Sequence, residues 1–72
     1  MTPAEIKRRL MSELKKNATL GFDEACFHVS TAALELKDAG EVTSVIVTGK
    51  DDRCTGVDVD LPNGDTIEVE IP

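Results

Sequence analysis

Two runs near the end of this 72-residue chain alternate apolar and acidic residues without a slip: Val57-Asp58-Val59-Asp60-Leu61 and Ile67-Glu68-Val69-Glu70-Ile71. A period of two puts successive side chains on opposite faces of a strand, so each run has one apolar and one carboxylate face. The five residues between Leu61 and Ile67 hold Pro62-Asn63-Gly64, a turn in which proline presets one angle and glycine takes a left-handed one. Parity then decides the loop. A two-residue Asn63-Gly64 loop places Asp60 opposite Ile67, mixing the faces. A three-residue loop, Pro62-Asn63-Gly64, built as a type I turn with a glycine bulge, places Val59 opposite Ile67 and Val57 opposite Val69. The same register sets Asp58 opposite Glu68 on the wet face, with Asp60 near Thr66. Like charges so placed cost a few tenths of a kcal/mol.

Upstream, the β-branched run from Val42 to Thr48 lies between Gly40 and Gly49 and reads as a first strand. Residues 49–53 form a polar loop, and the second strand is expected over about residues 55–61. The N-terminal half has helical periodicity instead. Thr2-Pro3-Ala4-Glu5 is a capping box with proline at the first helical position. Ile6, Leu10 and Leu14 follow at spacings of four, so a helix is expected over about residues 3–17. A second helix is expected from about 24 to 39, with Asp23 as its cap. It carries Ala25, Val29, Ala32, Leu36 and Ala39 on one side, and Gly40 ends it. Ser30-Thr31 offers an alternative break into two short helices. Phe22 and Phe27 have the spacing of a hydrophobic staple.

The expected fold is α+β: one domain, with two N-terminal helices packed on one face of a three-stranded antiparallel meander. Its interior is drawn from Ile6, Leu10, Leu14, Val29, Leu36, Val45, Val47, Val57, Val59, Leu61, Ile67, Val69 and Ile71. With no Trp or Tyr and two Phe, that core is aliphatic. A chain this short buries only roughly 60% of its unfolded surface, so its stability is marginal. Ile46 falls on the opposite face from Val45 and Val47 and favours contact with a partner or a second copy.

The formal charge is −6, unevenly spread. Residues 1–16 carry five basic and two acidic side chains, a balance of +3; the rest carry three basic and twelve acidic, a balance of −9. Net acidity argues against nonspecific nucleic-acid or anionic-membrane binding. A basic helix beside an acidic sheet can attract itself or a second copy. No window is long and apolar enough for a transmembrane helix, and the N-terminus has no signal-peptide hydrophobic region, so a cytoplasmic location is expected. Cys26 and Cys54 are too few for a disulfide scaffold and are expected as free thiols there, with Cys54 somewhat acidified by Arg53.

The candidate site is the acidic ladder, Asp58, Asp60, Asp65, Glu68 and Glu70, as a docking face for a basic protein surface. The plain alternative is a solvated face that keeps a small protein soluble and guards its edges. A secondary basic face comprises Lys7, Arg8, Lys15 and Lys16. No metal or cofactor is implied: Cys26 and His28 diverge by about 200° on a helix, and the carboxylates lack calcium-loop spacing. No phosphate-binding glycine loop, Ser/His/Asp set or distinguished carboxylate pair is present, so an enzyme is not expected.

The segment Val29-Ser30-Thr31-Ala32-Ala33-Leu34-Glu35-Leu36-Lys37-Asp38-Ala39-Gly40-Glu41-Val42 resembles the recognition helix and Gly-x-Val exit of winged-helix domains, with a ribbon carrying Asp52-Arg53 following as a wing would. The resemblance implies a DNA-binding regulator using helix 1 or the Lys50/Arg53 loop. The chain departs from that pattern in a recognition segment almost without basic or amide side chains, and in a third strand after the wing. Three functions are therefore in view: a non-enzymatic acidic interaction module, a winged-helix-like regulator, and a structural subunit of a homo-oligomer.

Overall fold

Thr2 opens the first helix as the capping box requires. A computed structural model of the chain describes residues 1–71. In helix α1 (Pro3–Lys16), Thr2 Oγ1 accepts the Glu5 amide at 3.2 Å and Glu5 Oε1 accepts the Thr2 amide at 3.0 Å. These bonds, the backbone one first, hold the Glu5 carboxyl below its ordinary value. Asn17 closes the helix by donating its side-chain amide to the Glu13 carbonyl at 2.8 Å.

Helix α2 (Phe22–Asp38) begins earlier than its sequence suggests. Gly21, not Asp23, is the N-cap, and it has no side chain with which to cap. Asp52 supplies the acceptor from outside the helix, taking the Phe22 amide on Oδ1 at 3.4 Å. Because Phe22 is the first helical residue, the aromatic staple does not form. Phe22 packs against the core, while Phe27 stands 68% exposed with its ring edge on His28, at a centroid distance of 5.5 Å. The Ser30-Thr31 break is absent too. Both hydroxyls donate back to the preceding turn, Ser30 to the Cys26 carbonyl and Thr31 to the Phe27 carbonyl, so the helix runs through them. At the far end Gly40 takes a φ of +77°, and the Glu41 amide reaches the Leu36 carbonyl at 2.9 Å, completing a Schellman stop.

The strands β1 (Ser44–Lys50), β2 (Arg53–Asp60) and β3 (Thr66–Glu70) form one antiparallel sheet in the order β1-β2-β3. The β2–β3 register is the one parity demanded: Val59 faces Ile67, Val57 faces Val69 and Asp58 faces Glu68. The Leu61 amide bonds to the Asp65 carbonyl at 2.7 Å around the three-residue loop, and Gly64 has a φ of +94°. The β1–β2 connection is tighter than the polar loop expected. Lys50 pairs with Arg53, leaving Asp51 and Asp52 as a two-residue turn with φ of 53° and 59°. That is the left-handed pair a type I′ hairpin requires, and aspartate tolerates it better than most residues.

α1 packs toward β3, and α2 toward β1 and β2, on one face of the sheet. Ile6, Leu10, Leu14, Val29, Leu36, Val57, Val59, Leu61 and Val69 are buried as anticipated. Val45, Val47, Ile67 and Ile71 are half-buried, packed against the core from the two edge strands and the chain end. Ala25, Ala33, Val42 and Cys54 complete the core. Val42 is buried before β1 begins, and Cys54 is brought inward at the start of β2, beside a register shift between Thr48 and Gly49.

At that shift the ring of Phe22 lies directly on Gly49, and a methyl group there would press into the ring and the Arg53 carbonyl. Gly49→Ala should therefore destabilise the fold by about 1–3 kcal/mol, read as a lower urea midpoint with an unchanged slope.

Candidate functional site

The helices cover one face of the sheet and leave the other open. On the open face the register places side chains in three rows across the strands: Ser44–Asp60–Thr66, Ile46–Asp58–Glu68 and Thr48–Gly56–Glu70. Neighbouring positions lie about 4.8 Å apart across strands and about 7 Å apart along them. Four of the five ladder residues, Asp58, Asp60, Glu68 and Glu70, share this face. Asp65 does not: it sits in the turn, where its amide donates to Asn63 Oδ1 at 3.0 Å and its carboxylate accepts from Asn63 Nδ2 at 3.2 Å.

The rows differ in chemistry. In the first, Asp60 is fully engaged. Ser44 Oγ donates to Oδ2 at 2.6 Å and Thr66 Oγ1 donates to Oδ1 at 2.7 Å. The two bonds, Ser44's first, hold the Asp60 carboxyl below its ordinary value of 3.8. In the second row Ile46 is 61% exposed beside Asp58 and Glu68, the largest apolar surface on this face. Asp58 is half-buried, and no protein donor reaches its enclosed Oδ1. In the third, Thr48 and Glu70 close over the buried Gly56, where a β-carbon would collide with the Thr48 hydroxyl. The ion pairs among the described residues, the Met1 amine with Glu41 and Arg9 with Glu35, both lie away from this face. Among the described residues no protein cation therefore lies against its carboxylates.

The secondary basic residues are only partly together. Lys7, Arg8 and Lys15 rim a shallow groove on the outer side of α1, floored by Ala4, Met11 and Ser12. Lys16 lies on the other flank, with Arg9 and Glu13, facing α2. The groove lies about 100–200° around the helix from the core-facing Ile6.

Cys54 is 1% exposed, and burial pushes its thiol up, opposite to the acidification expected from Arg53. The guanidinium is occupied elsewhere, donating to the Thr19 carbonyl at 2.8 Å. Asp52 and Arg53 at the hairpin tip thus both tie back to the α1–α2 connection. No three Cys, His, Asp or Glu side chains converge as a metal-ligand set among the described residues. No helix is long and apolar enough to cross a membrane.

Sequence inspection alone missed Ser44 and Thr66 as the residues that lock Asp60. Thr66 was within reach through the β2–β3 parity, whereas Ser44 needed the β1–β2 turn type. Phe27, which the staple spacing pairs with Phe22, instead stands exposed on α2 in line with Leu34, outside the apolar side read from the sequence. Comparison with protein-family models, curated proteins and solved structures gave no match.

The Asp60 bonds carry a pH signature. They favour the carboxylate, so their contribution is present above the ordinary carboxyl value and is lost as pH falls through the lowered folded value. The gap in urea midpoint between the native chain and a Ser44→Ala, Thr66→Val variant should be widest near pH 6 and close toward about pH 2.5. A gap that stays constant across that range would show that the hydroxyls act by packing alone.

Proposed function

We propose that this chain is a non-enzymatic interaction module that docks the open face of its sheet on a basic protein surface. The observation that carries this is the central row. An isoleucine exposed beside two facing carboxylates, one with an enclosed oxygen that lacks a donor, is poorly arranged for water alone. A basic surface with an apolar centre answers each element. It covers Ile46, supplies a donor to Asp58 and relieves the Asp58–Glu68 repulsion. The sheet is a stiff platform for such contact, since its far side is the buried core of the molecule.

The test uses a fluorescent octalysine peptide as the basic probe. Asp58→Lys with Glu68→Lys should fold, by circular dichroism, and lose about tenfold or more in affinity, equivalent to about 1.4 kcal/mol. A control with the same charge change on α2, Glu24→Lys with Asp38→Lys, should lose much less. Equal losses would mean that net charge, not this face, binds the probe. A gel shift with duplex DNA at low salt supplies the counter-test: robust binding by the native chain would overturn the acidic module in favour of the regulator.

A further inference from the structure

We infer that one basic surface this face fits is the outer groove of α1 on a second copy of the same chain, so that copies associate head to tail. The inference rests on the docking role proposed above and names a partner for it.

The two surfaces match in kind. The sheet offers an apolar knob, Ile46, flanked by the carboxylates of Asp58 and Glu68. The α1 groove offers a floor that includes Ala4 and Met11, rimmed by Lys7, Arg8 and Lys15. None of these three cations has an ion-pair partner among the described residues. The charge division supports the same pairing, with +3 over residues 1–16 and −9 over the remainder. Nothing within one chain brings the two together. α1 turns Ile6, Leu10 and Leu14 toward the sheet's covered face, so its basic groove looks away from the open one.

Opposite placement also fixes the symmetry. Complementary patches on opposite sides of a subunit give a heterologous contact, which propagates as a stack or closes as a ring, rather than a two-fold dimer. The contact is expected to be weak. A standard interface takes about 800 Å² from each partner, a large share of a chain exposing 4431 Å² in all, and each copy would contribute two patches. The net charge of −6 adds repulsion between copies. At about 0.1 M salt the screening length is about 10 Å, so distant charges are muted while touching patches are not. At about 1 M it falls to about 3 Å, and the patches lose their attraction as well.

Sedimentation velocity on the full chain, from about 10 µM to about 1 mM, a range suited to weak association, tests this. In about 0.1 M salt the mass should climb above 7.8 kDa with concentration, and in about 1 M salt it should return to that value. Arg8→Glu with Lys15→Glu, and separately Glu68→Lys with Glu70→Lys, should each stay at 7.8 kDa in about 0.1 M salt, and an equimolar mixture of the two should assemble again. Lys7→Glu with Arg8→Glu replaces the helix variant if that one fails to fold.

A native chain that stays monomeric throughout overturns the inference. Octalysine binding that survives in that same chain leaves the docking role standing; loss of both removes both. A discrete dimer indifferent to either variant also overturns the inference, and places the contact on a strand edge or on the Phe27–Leu34 side of α2.

Discussion

Two helices of 14 and 17 residues can cover one face of a three-stranded sheet and no more, and the rest of the molecule follows from that shortage. Val57, Val59 and Val69 are sealed beneath Ile6, Leu10, Leu14 and Val29. Each such side chain contributes roughly 1.5–3 kcal/mol by leaving water. With no second layer available, the opposite face must be wet. Strict alternation from Val57 to Asp60 and through β3 is the sequence's answer, since each apolar residue committed to the core brings a polar one to the open side. The carboxylate ladder is thus, in the first instance, a consequence of period two. What period two does not dictate is Ile46 at the centre of that face.

The features legible in the sequence are those fixed by neighbours a few residues apart. The capping box at Thr2, the Gly40 stop and the three-residue loop at Pro62–Gly64 all rest on contacts within about five positions. The β2–β3 register followed because only one parity keeps two alternating runs in phase. The features not legible depend on long-range contact. Phe22 enters α2 because Asp52, thirty residues on, accepts its amide, and because Gly49 leaves room for its ring. Asp23 is the better cap by local preference, but a tertiary acceptor overrode it. Cys54 faces the core because the shift at Gly49 rotates the start of β2, which no count of alternation reveals.

The hairpin tip shows the same dependence working in both directions. Asp51 and Asp52 adopt left-handed angles that glycine would take with less strain. Glycine at 52 would remove the acceptor for the first amide of α2, and Arg53 beside it anchors the Thr19 carbonyl. The tip therefore holds the α1–α2 connection against the sheet.

The open face is better understood by contrasting its rows than by counting its charges. Asp60 has two donors, contributed by the two strands that flank it, and needs nothing from outside. One register step away, Asp58 has Ile46 and Glu68 in the places where Ser44 and Thr66 serve Asp60. If solubility were the whole purpose of the face, a hydroxyl at 46 or 68 would satisfy Asp58 just as Ser44 and Thr66 satisfy Asp60, and would remove the facing carboxylate or the exposed isoleucine. The strands accommodate that solution in one row and forgo it in the next. A small fold with little stability to spare thus keeps a repulsive pair and an exposed isoleucine side by side. That combination is intelligible where a cationic surface with an apolar centre completes the row.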